Sequence, residues 1–418
     1  MTNMEKNIQK NDCIEPKTFE ATKQMLKTIF KISSTFNGLM QQDEILRQFA
    51  IYLMGQFAIK NFALYLFDKT KASFVLLESK NFDNIAKIID NNDLNFQENN
   101  IINLENSDHK NNNLFDKDIA KFAIMLSENK GLLVIGSRML NKDFTEMDFS
   151  FMISISELAI LAFENSRLIS EEKKKILLEQ ELNTAREIQQ VLLPKNNPAI
   201  DNYEIIGDTQ SSLSVGGDYY DFIKIDDENY MIVVADVCGN GIPAALIMSN
   251  LQSALKSQLF FVTDLKKIIS NLNSIIYDNT DADRYVTFFY GILNIKTNKF
   301  TYINGGHNPP IFYQKHNKKI NLLDVGGTII GAFDPLPFEY ELGQIKLKSG
   351  DLILFYTDGI IEAKDKNGKL LDEEWLVNFV ENNSEISAKQ MFEKIKNETN
   401  NCQPEENDDI TLIVLKKM

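Results

Sequence analysis

The chain has 418 residues, 44% of them hydrophobic, which is enough for two or three domains that each bury a core. Its net charge of −15 and isoelectric point near 4.9 disfavour binding to nucleic acid or to anionic membrane surfaces, since both are negatively charged. The sequence contains neither the apolar core of a secretory signal nor a membrane-spanning stretch, so we expect a cytoplasmic protein without membrane insertion.

The cysteines and histidines are too scattered to predict a zinc site or a disulfide framework. They are Cys13, Cys238, Cys402, His109, His307 and His316. The cysteine spacing fits a reducing compartment, and the histidines lack the close helical pairing of zinc hydrolases. A metal ion in this protein would therefore need oxygen ligands.

The first predicted elements form a mixed α/β domain at residues 21–164, after a polar tail at residues 1–20. Its strand candidates are FALYLFD (62–68), SFVLLES (73–79) and GLLVIGS (131–137). An Asn-rich segment between the second and third of these indicates a long surface loop. Thr145 and Asp148 predict the N-terminal cap of the helix that follows.

A long helix is predicted next, because no glycine or proline interrupts the chain before Pro194. Five residues lie along one helical seam: Leu168, Leu178, Leu182, Ala185 and Leu192. Three polar residues interrupt that seam: Glu171, Lys175 and Gln189. The pattern fits a coiled coil in a homodimer or a solvated connecting helix. We assign residues 165–195 to this linker, and Pro194 and Pro198 mark the end of the helix.

Residues 196–418 have the sequence pattern of an α+β domain with many short strands. The strand candidates are MIVVAD, RYVTFFYGILNI, KFTYING, DLILFYTD and ITLIVL, and the helix candidates are residues 243–260, 264–278 and 387–399. Most connections between these strands are too short for parallel crossovers. Antiparallel sheets are therefore expected.

Acids recur in this domain where an apolar strand begins or ends. They are Asp218 in SVGGDYYDF, Asp236 in VVADVCGNG, Asp358 in LILFYTDG, and Asp408 with Asp409 in NDDITLIVL. Any one of them alone is more ordinarily a turn residue or a helix cap, and Asp236 alone also fits a ribose partner. Together they favour a cation site, because clustered carboxylates repel one another unless cations neutralise them.

Carboxylate ligands select Mg²⁺ or Mn²⁺, and two divalent ions roughly balance four carboxylates. Such a pair activates water and holds a phosphoryl group, which predicts phosphate ester hydrolysis. A calcium loop at residues 365–375 is excluded, because Gly368 comes too early for the EF-hand spacing. Nucleotide binding at CGNGIPAAL is an alternative with less support, since the full dinucleotide and P-loop motifs are absent.

Seven motifs in this order resemble the SpoIIE/RsbU-type branch of the PPM serine/threonine protein phosphatases. They are AREIQQVLLP, VGGDYYDF, VADVCGNGIPAAL, VTFFYGIL, NGGHNPP, LFYTDGIIEA and DDITLIVL, within about residues 184–418. The resemblance implies a PPM-type αββα sandwich with two Mn²⁺ or Mg²⁺ ions at one edge. The first domain resembles a GAF sensor through LLVIGSR and AFENSRLI, which implies a small-molecule or protein activator there.

By this resemblance Asp236 bridges both ions, and the backbone carbonyl of Val237 is a further ligand. Asp358 and Asp408 complete the shell of the first ion. Asp218 holds the second ion directly or through water, and Asp218 and Asp236 are the catalytic residues.

Five further residues are secondary candidates: Asp221, Asp409, His307, Asn308 and Arg284. His307 is either a general acid or a turn-stabilising residue. Arg284 either contacts the substrate phosphate or, the interpretation we favour, pairs with Asp281 or Asp283 at the surface. Cys238 and Asn240 depart from the residues usual in the family, but neither position supplies a carboxylate, so activity is expected.

The function implied is a metal-dependent serine/threonine phosphatase under control of the GAF-like domain. Its implied substrate is a phosphorylated STAS-domain anti-sigma-factor antagonist in a bacterial partner-switching pathway. The alternative is a catalytically silent module that uses the same surface to hold a partner. Loss of an acid would favour that alternative, and every expected acid is present.

Overall fold

The computed structural model describes residues 16–38, 41–94, 96, 100–104, 114–115, 118–139, 142–280, 284–365, 368–401 and 408–418. Cys13, His109, Asp281, Asp283 and Cys402 therefore lie outside the described residues. The chain divides into two compact units, Met1–Ile176 and Leu177–Met418. One continuous helix, Glu146–Leu192, contains most of the predicted linker and contributes residues to both units.

The N-terminal unit combines a sheet with helices. Its elements are α1 (Pro16–Gly38), α2 (Gln42–Phe57), β1 (Phe62–Asp68), β2 (Ser73–Lys80), β3 (Ile88–Asp90), β4 (Ile101–Asn103), β5 (Ala120–Met125), β6 (Gly131–Gly136) and the first part of α3 (Glu146–Leu192). The six strands pair in the order β3-β2-β1-β6-β5-β4, and each pairing is antiparallel. This confirms the three predicted strands, whereas the GAF assignment stays a prediction.

Alternation along β1 explains the two cores of this unit. Phe62 and Leu64 point to the helical face, where Phe49 of α2 and Ile155 of α3 pack against them. Ala63 between them and Tyr65 after them belong to the core on the opposite face of the sheet. The sheet therefore buries apolar side chains on both faces.

The predicted cap of α3 is confirmed. The Thr145 backbone N–H and its hydroxyl each donate to a carboxylate oxygen of Asp148 at 2.9 Å, and the Asp148 N–H donates back to the Thr145 hydroxyl at 3.2 Å. These bonds satisfy backbone groups that a helix N-terminus leaves without intrahelical partners.

The C-terminal unit contains the remaining strands and helices. They are β7 (Tyr203–Gln210), β8 (Tyr219–Lys224), β9 (Asn229–Val237), α4 (Ile242–Gln258), α5 (Leu265–Asn279), β10 (Val286–Asn294), β11 (Lys299–Gly305), β12 (Ile311–Gln314), β13 (Lys319–Leu322), β14 (Gly326–Gly327), β15 (Gly343–Lys346), β16 (Leu352–Tyr356), α6 (Asp358–Ile361), α7 (Glu373–Asn383), α8 (Ala388–Asn400) and β17 (Ile410–Lys417). All strands and helices predicted here are confirmed, whereas β7, β8, β12–β15, α6 and α7 were not among the predicted elements.

Two sheets stack face to face in this unit. The first has the order β14-β11-β10-β9-β8, with β15 beside β11, and the second has the order β13-β12-β16-β17-β7. Their pairings are antiparallel except for the short β11–β14 contact. The prediction of antiparallel sheets is thus confirmed.

Residues alternate along β9 between two cores. Val234 lies in the core between the sheets with Phe355 of β16, whereas Val233 lies in the core that the first sheet shares with α4 and α5. A third core joins the second sheet to α7 and α8 through residues such as Leu376 and Met391. The layers are therefore α, β, β and α, which confirms the predicted sandwich.

Among the helices of the described residues, none is both long enough and apolar enough to span a membrane.

Candidate metal centre

The predicted acids meet at one edge of the sandwich. Asp236 is the penultimate residue of β9 and pairs with Thr287 of β10. In the other sheet, Asp358 follows β16 at the start of α6, and Asp408 lies two residues before β17. Because β16 and β17 are antiparallel neighbours, the end of one strand lies beside the start of the other. The fold thereby brings acids from both sheets together.

Asp218 is the most buried of the acids predicted as ligands, with 5% of its surface exposed. Its Oδ2 accepts hydrogen bonds from the hydroxyls of Thr357 at 2.9 Å and Thr411 at 2.5 Å. Its Oδ1 is buried and has no hydrogen-bond partner. Burial, followed by the charge of Asp236, raises the pKa of Asp218 well above its usual range. A buried carboxylate in this state is a strong candidate for a cation ligand.

Asp236 and Asp358 lie in a field of negative charge. Burial and the nearby charges of Asp358, Asp408, Asp409 and Glu362 raise the pKa of Asp236 to about 7. Burial and the charges of Asp408 and Glu362 raise the pKa of Asp358 to about 6. Sequence reasoning missed Glu362, although it follows Asp358 by one helical turn. Cations at this edge would relieve the repulsion between these groups.

Adjacent Asp408 and Asp409 have different surroundings. Asp409 is buried, and its Oδ1 accepts from the Ser212 N–H at 2.8 Å and the Ser212 hydroxyl at 3.1 Å. Its Oδ2 accepts from the Gly217 N–H at 2.6 Å. Asp408 is partly exposed and accepts through Oδ1 from the Asp409 N–H at 2.8 Å. Asp409 thus holds the loop before Asp218, and Asp408 is the better placed of the two as a ligand.

Two glycines allow that loop to pack closely. A Cβ at Gly216 would lie 2.4 Å from Oδ2 of Asp409, and one at Gly217 would lie 2.9 Å from the Val237 carbonyl oxygen. Neither space accepts a side chain without a shift. The glycines before Asp218 therefore bring its segment against Asp409 and Val237, the residue whose carbonyl was predicted as a ligand.

The end of α3 holds the same loop, which sequence reasoning missed. Arg186 donates from Nε to the Ser214 carbonyl at 2.8 Å and from Nη2 to the Leu213 carbonyl at 2.9 Å. Gln189 exchanges two hydrogen bonds with the backbone of Gly216, at 2.8 and 3.1 Å. Gln189, interpreted from the sequence as an interruption of a coiled-coil seam, is in fact buried against this loop.

Asp221 lies on the other side of the first sheet from Asp236. It is buried in β8, where it accepts from the Tyr219 hydroxyl at 2.8 Å and pairs with Lys256 of α4 at 2.7 Å. Tyr219 belongs to the core under α4 and α5, and side chains two residues apart in a strand share a face. We therefore assign Asp221 a structural role.

His307 is buried and neutral near pH 7. Burial lowers its pKa to about 4, although the Tyr356 backbone acts in the opposite direction. Its ring Nδ1 lies 2.8 Å from the Thr287 hydroxyl, and its backbone N–H donates to Oδ1 of Asn304 at 2.8 Å. These contacts favour the turn-stabilising interpretation over a general acid. Asn308, the next residue, is partly exposed.

Arg284 lies at the same edge as Asp236. The neighbouring Tyr285 exchanges hydrogen bonds with Cys238, and Val286 pairs with Val237. Because of this backbone placement, contact between Arg284 and a substrate phosphate stays an open alternative. Its alternative partners, Asp281 and Asp283, lie outside the described residues.

The acids fit divalent cations by type and by electrostatics. Asp218 has an unpartnered buried oxygen, and the neighbouring acids raise one another's pKa. Within the described part of the chain, no three His, Cys, Asp or Glu side chains already form a ligand cluster. Cation binding would therefore draw these side chains closer together, as attraction replaces repulsion.

The raised pKa values predict that the metal-free protein loses stability as the pH rises. The native pKa values of about 7 for Asp236 and about 6 for Asp358 exceed the unfolded value of about 3.9. The native state therefore holds more protons between about pH 4 and pH 7, and its stability falls through that window. We expect a loss on the order of 2 kcal/mol between pH 5 and pH 8 in EDTA, after solvent screening.

Fluorescence of Trp375, the single tryptophan, measures this loss during urea unfolding of the full chain, because Trp375 lies in the C-terminal unit. Mn²⁺ at pH 8 should restore the stability by binding the native state. An Asp236→Asn variant should lose less than wild type. Equal stability of wild type at both pH values in EDTA would contradict the electrostatic picture of this site.

Comparisons with known proteins agree with this architecture. The family described as Stage II sporulation protein E (SpoIIE) matches residues 226–417. The chain is 31% identical over 276 residues to the phosphoserine phosphatase RsbU of Bacillus subtilis, covering 66% of this chain and 80% of RsbU. It is 30% identical over 193 residues to the phosphoserine phosphatase RsbP of the same organism, covering 45% of this chain and 47% of RsbP.

A solved structure shows the same fold. It is the SiaA-PP2C domain of Pseudomonas aeruginosa, with a TM-score of 0.50 and 19% sequence identity. The likeness covers 59% of this chain and 98% of that domain.

Proposed function

The chain belongs to the SpoIIE family of PPM-type serine/threonine phosphatases, and from this premise we propose that it dephosphorylates a STAS-domain protein with the help of two Mn²⁺ or Mg²⁺ ions. The proposal assigns catalysis to the edge where Asp218, Asp236, Asp358 and Asp408 meet. The N-terminal unit, as a GAF-like sensor, would receive a small-molecule or protein activator and control the rate.

In this proposal each acid has a distinct role. By the family resemblance Asp236 would hold both ions, and in this chain it lies among the other acids, where the charges of Asp358 and Asp408 raise its pKa. Asp358 and Asp408 would hold the first ion, and Asp218 with the Val237 carbonyl would hold the second. When bound, the ions would lower the pKa of a water molecule and neutralise charge on the phosphoryl group.

One observation carries the metal assignment: a fully buried carboxylate with one unpartnered oxygen beside a second acid. A buried, unpaired ionised carboxylate destabilises a fold by several kcal/mol. Asp218 has donors for Oδ2 and none for Oδ1. A cation would supply both a partner for Oδ1 and a compensating positive charge.

The test is phosphate release by the purified full chain from a STAS domain phosphorylated on serine. We expect release with Mn²⁺ or Mg²⁺ and none with EDTA. The same STAS domain carrying phosphotyrosine is the matched substrate control and should react much more slowly. Release that persists in EDTA would contradict the metal-dependent mechanism.

If a phosphoserine peptide is hydrolysed with metal but the phosphorylated STAS domain is not, the enzyme assignment stands and the substrate proposal is wrong. This outcome separates the two levels of the proposal.

Control by the N-terminal unit is proposed to run through α3. Arg186 and Gln189 of this helix bind the loop that leads to Asp218, and Asp409 binds the loop from the other side. A change in the position or pairing of the helix would therefore alter how Asp218 is presented. An activator biases such an equilibrium only if it prefers one arrangement.

A homodimer formed through α3 is the proposed form of this pairing. Leu168 and Leu178 belong to the predicted seam, and each is 55% exposed in the chain. Replacing both with aspartate would place like charges in the seam, so we expect a shift toward monomer and a changed basal phosphatase rate. Sedimentation and phosphate release measure the two effects.

The matched control is Gln180→Asp, which adds charge to the same helix away from the seam and should keep the wild-type mass and rate. If the Leu168→Asp, Leu178→Asp protein is folded and also keeps the wild-type mass and phosphatase rate, α3 only connects the two units and does not transmit control.

A further inference from the structure

Two buried threonines converge on the same oxygen of Asp218. Thr357 and Thr411 are both fully buried, and each hydroxyl lies within hydrogen-bond distance of Oδ2. They come from positions 139 and 193 residues away from Asp218 along the chain. The site therefore includes two polar groups that none of the assigned roles uses, one from the residue that follows β16 and one from β17.

The supply of protons fixes the direction of these hydrogen bonds. The Thr357 hydroxyl accepts from the Thr411 N–H at 2.8 Å, so its single proton goes to Asp218 or to the Asp409 carbonyl, which lies farther away at 3.3 Å. The Thr411 hydroxyl has one proton and two acceptors within reach, Oδ2 of Asp218 at 2.5 Å and the Thr209 hydroxyl at 2.7 Å; the charged carboxylate is the stronger acceptor, which leaves Thr209 to donate to Thr411. Oδ2 thus receives two donors, and Oδ1 receives none.

The same threonines join the strands that carry the other acids. Thr357 immediately precedes Asp358, and Thr411 follows Asp408 by three residues. The Thr357 N–H donates to the Thr411 carbonyl at 3.1 Å. A shift of either strand end would therefore move a hydroxyl that is hydrogen-bonded to Asp218.

We propose that Thr357 and Thr411 are positioning residues that hold Asp218 by Oδ2 and thereby reserve Oδ1 for a divalent cation. This inference rests on the proposed metal-dependent function and deepens it. Groups that orient a metal ligand typically change metal affinity about 10- to 100-fold when they are removed. Both hydroxyls are buried and contact Asp218, so their effect on a bound ion is expected to pass through that carboxylate.

Thr411→Val tests this directly, because valine keeps the shape of threonine and removes the hydroxyl. We expect the Mn²⁺ dissociation constant, measured by calorimetry on the full chain, to rise roughly tenfold or more. Thr411→Ser keeps the donor and should bind within about twofold of wild type, since a serine hydroxyl reaches the same acceptor. Thr357→Val carries the same expectation and decides the question if Thr411→Val does not fold.

The matched control is Thr399→Val. Thr399 is also buried, but its hydroxyl donates to the Lys396 carbonyl within α8. This variant should keep the wild-type Mn²⁺ affinity. Unfolding in EDTA, followed by Trp375 fluorescence, separates lost affinity from lost fold. For a Thr411→Val protein that this measurement shows to be folded, raising the Mn²⁺ concentration should also restore much of the phosphatase rate.

The outcomes distinguish this inference from the function on which it rests. If wild type binds Mn²⁺ and folded Thr411→Val and Thr357→Val bind it equally well, the positioning role is wrong and the metal-dependent function stands. If wild type itself binds no Mn²⁺, both are wrong.

Discussion

Asp236→Asn is expected to abolish Mn²⁺-dependent phosphate release while leaving the protein folded. Asparagine has the same shape as aspartate but lacks the charge that would bridge two cations. Metal ions contribute several kcal/mol to catalysis, and about 4 kcal/mol corresponds to roughly a thousandfold in rate. In EDTA the variant should be at least as stable as wild type, because burial and four neighbouring acids already disfavour the ionised form of Asp236.

The control for this experiment is Asp227→Asn, at a position whose side chain is 95% exposed between β8 and β9. It removes the same charge from the same unit and should keep the wild-type rate. Phosphate release is measured at saturating Mn²⁺ for all three proteins. Full turnover by folded Asp236→Asn would remove the two-metal interpretation.

Asp409→Ala is expected to destabilise the C-terminal unit by about 3 kcal/mol in EDTA. The substitution removes the carboxylate that accepts from the buried Gly217 N–H and from Ser212, which is itself exposed, and each hydrogen bond to a charged group contributes roughly 1.5–3 kcal/mol. Relief of repulsion with Asp218 and Asp236 offsets part of this loss. Urea unfolding followed by Trp375 fluorescence measures the difference.

Asp408→Ala, at the adjacent position, should show the opposite behaviour. Its stability in EDTA should stay within about 1 kcal/mol of wild type. Asp408 is partly exposed, and the hydrogen bond that the described residues give its side chain comes from the backbone N–H of Asp409. Its stabilisation by Mn²⁺ should be much smaller than that of wild type. Similar unfolding of the two variants in EDTA would contradict the different roles assigned to them.

The sequence predicted the antiparallel sheets and the acids because both leave local signals, whereas the sandwich was implied by the family resemblance. Apolar runs such as the one before Asp236 indicate buried strands, and short connections indicate antiparallel pairing. The resemblance then supplied a reason to prefer Asp408 over Asp409. The hydrogen bonds of Asp409 to Ser212 and Gly217 provide a physical reason for that preference, and they join residues nearly 200 positions apart.

Features without a local signal were missed. The sequence pattern places Gln189 in a seam that would face a partner helix, whereas its side chain forms hydrogen bonds with the backbone of Gly216, 27 residues later. Thr357 and Thr411 resemble ordinary strand residues until the fold brings both hydroxyls to Asp218. Helix α7 did have a signal, since Asp372 caps it by accepting from the Trp375 N–H at 2.8 Å.

The most direct test of the central claim is anomalous scattering from crystals of the full chain soaked in MnCl₂. We predict two strong peaks at the edge of the sandwich, both in contact with Asp236. One should also contact Asp358 and Asp408, and the other should lie beside Asp218 and the Val237 carbonyl. Peaks confined to other parts of the protein, or none in contact with Asp236, would contradict the proposed metal centre.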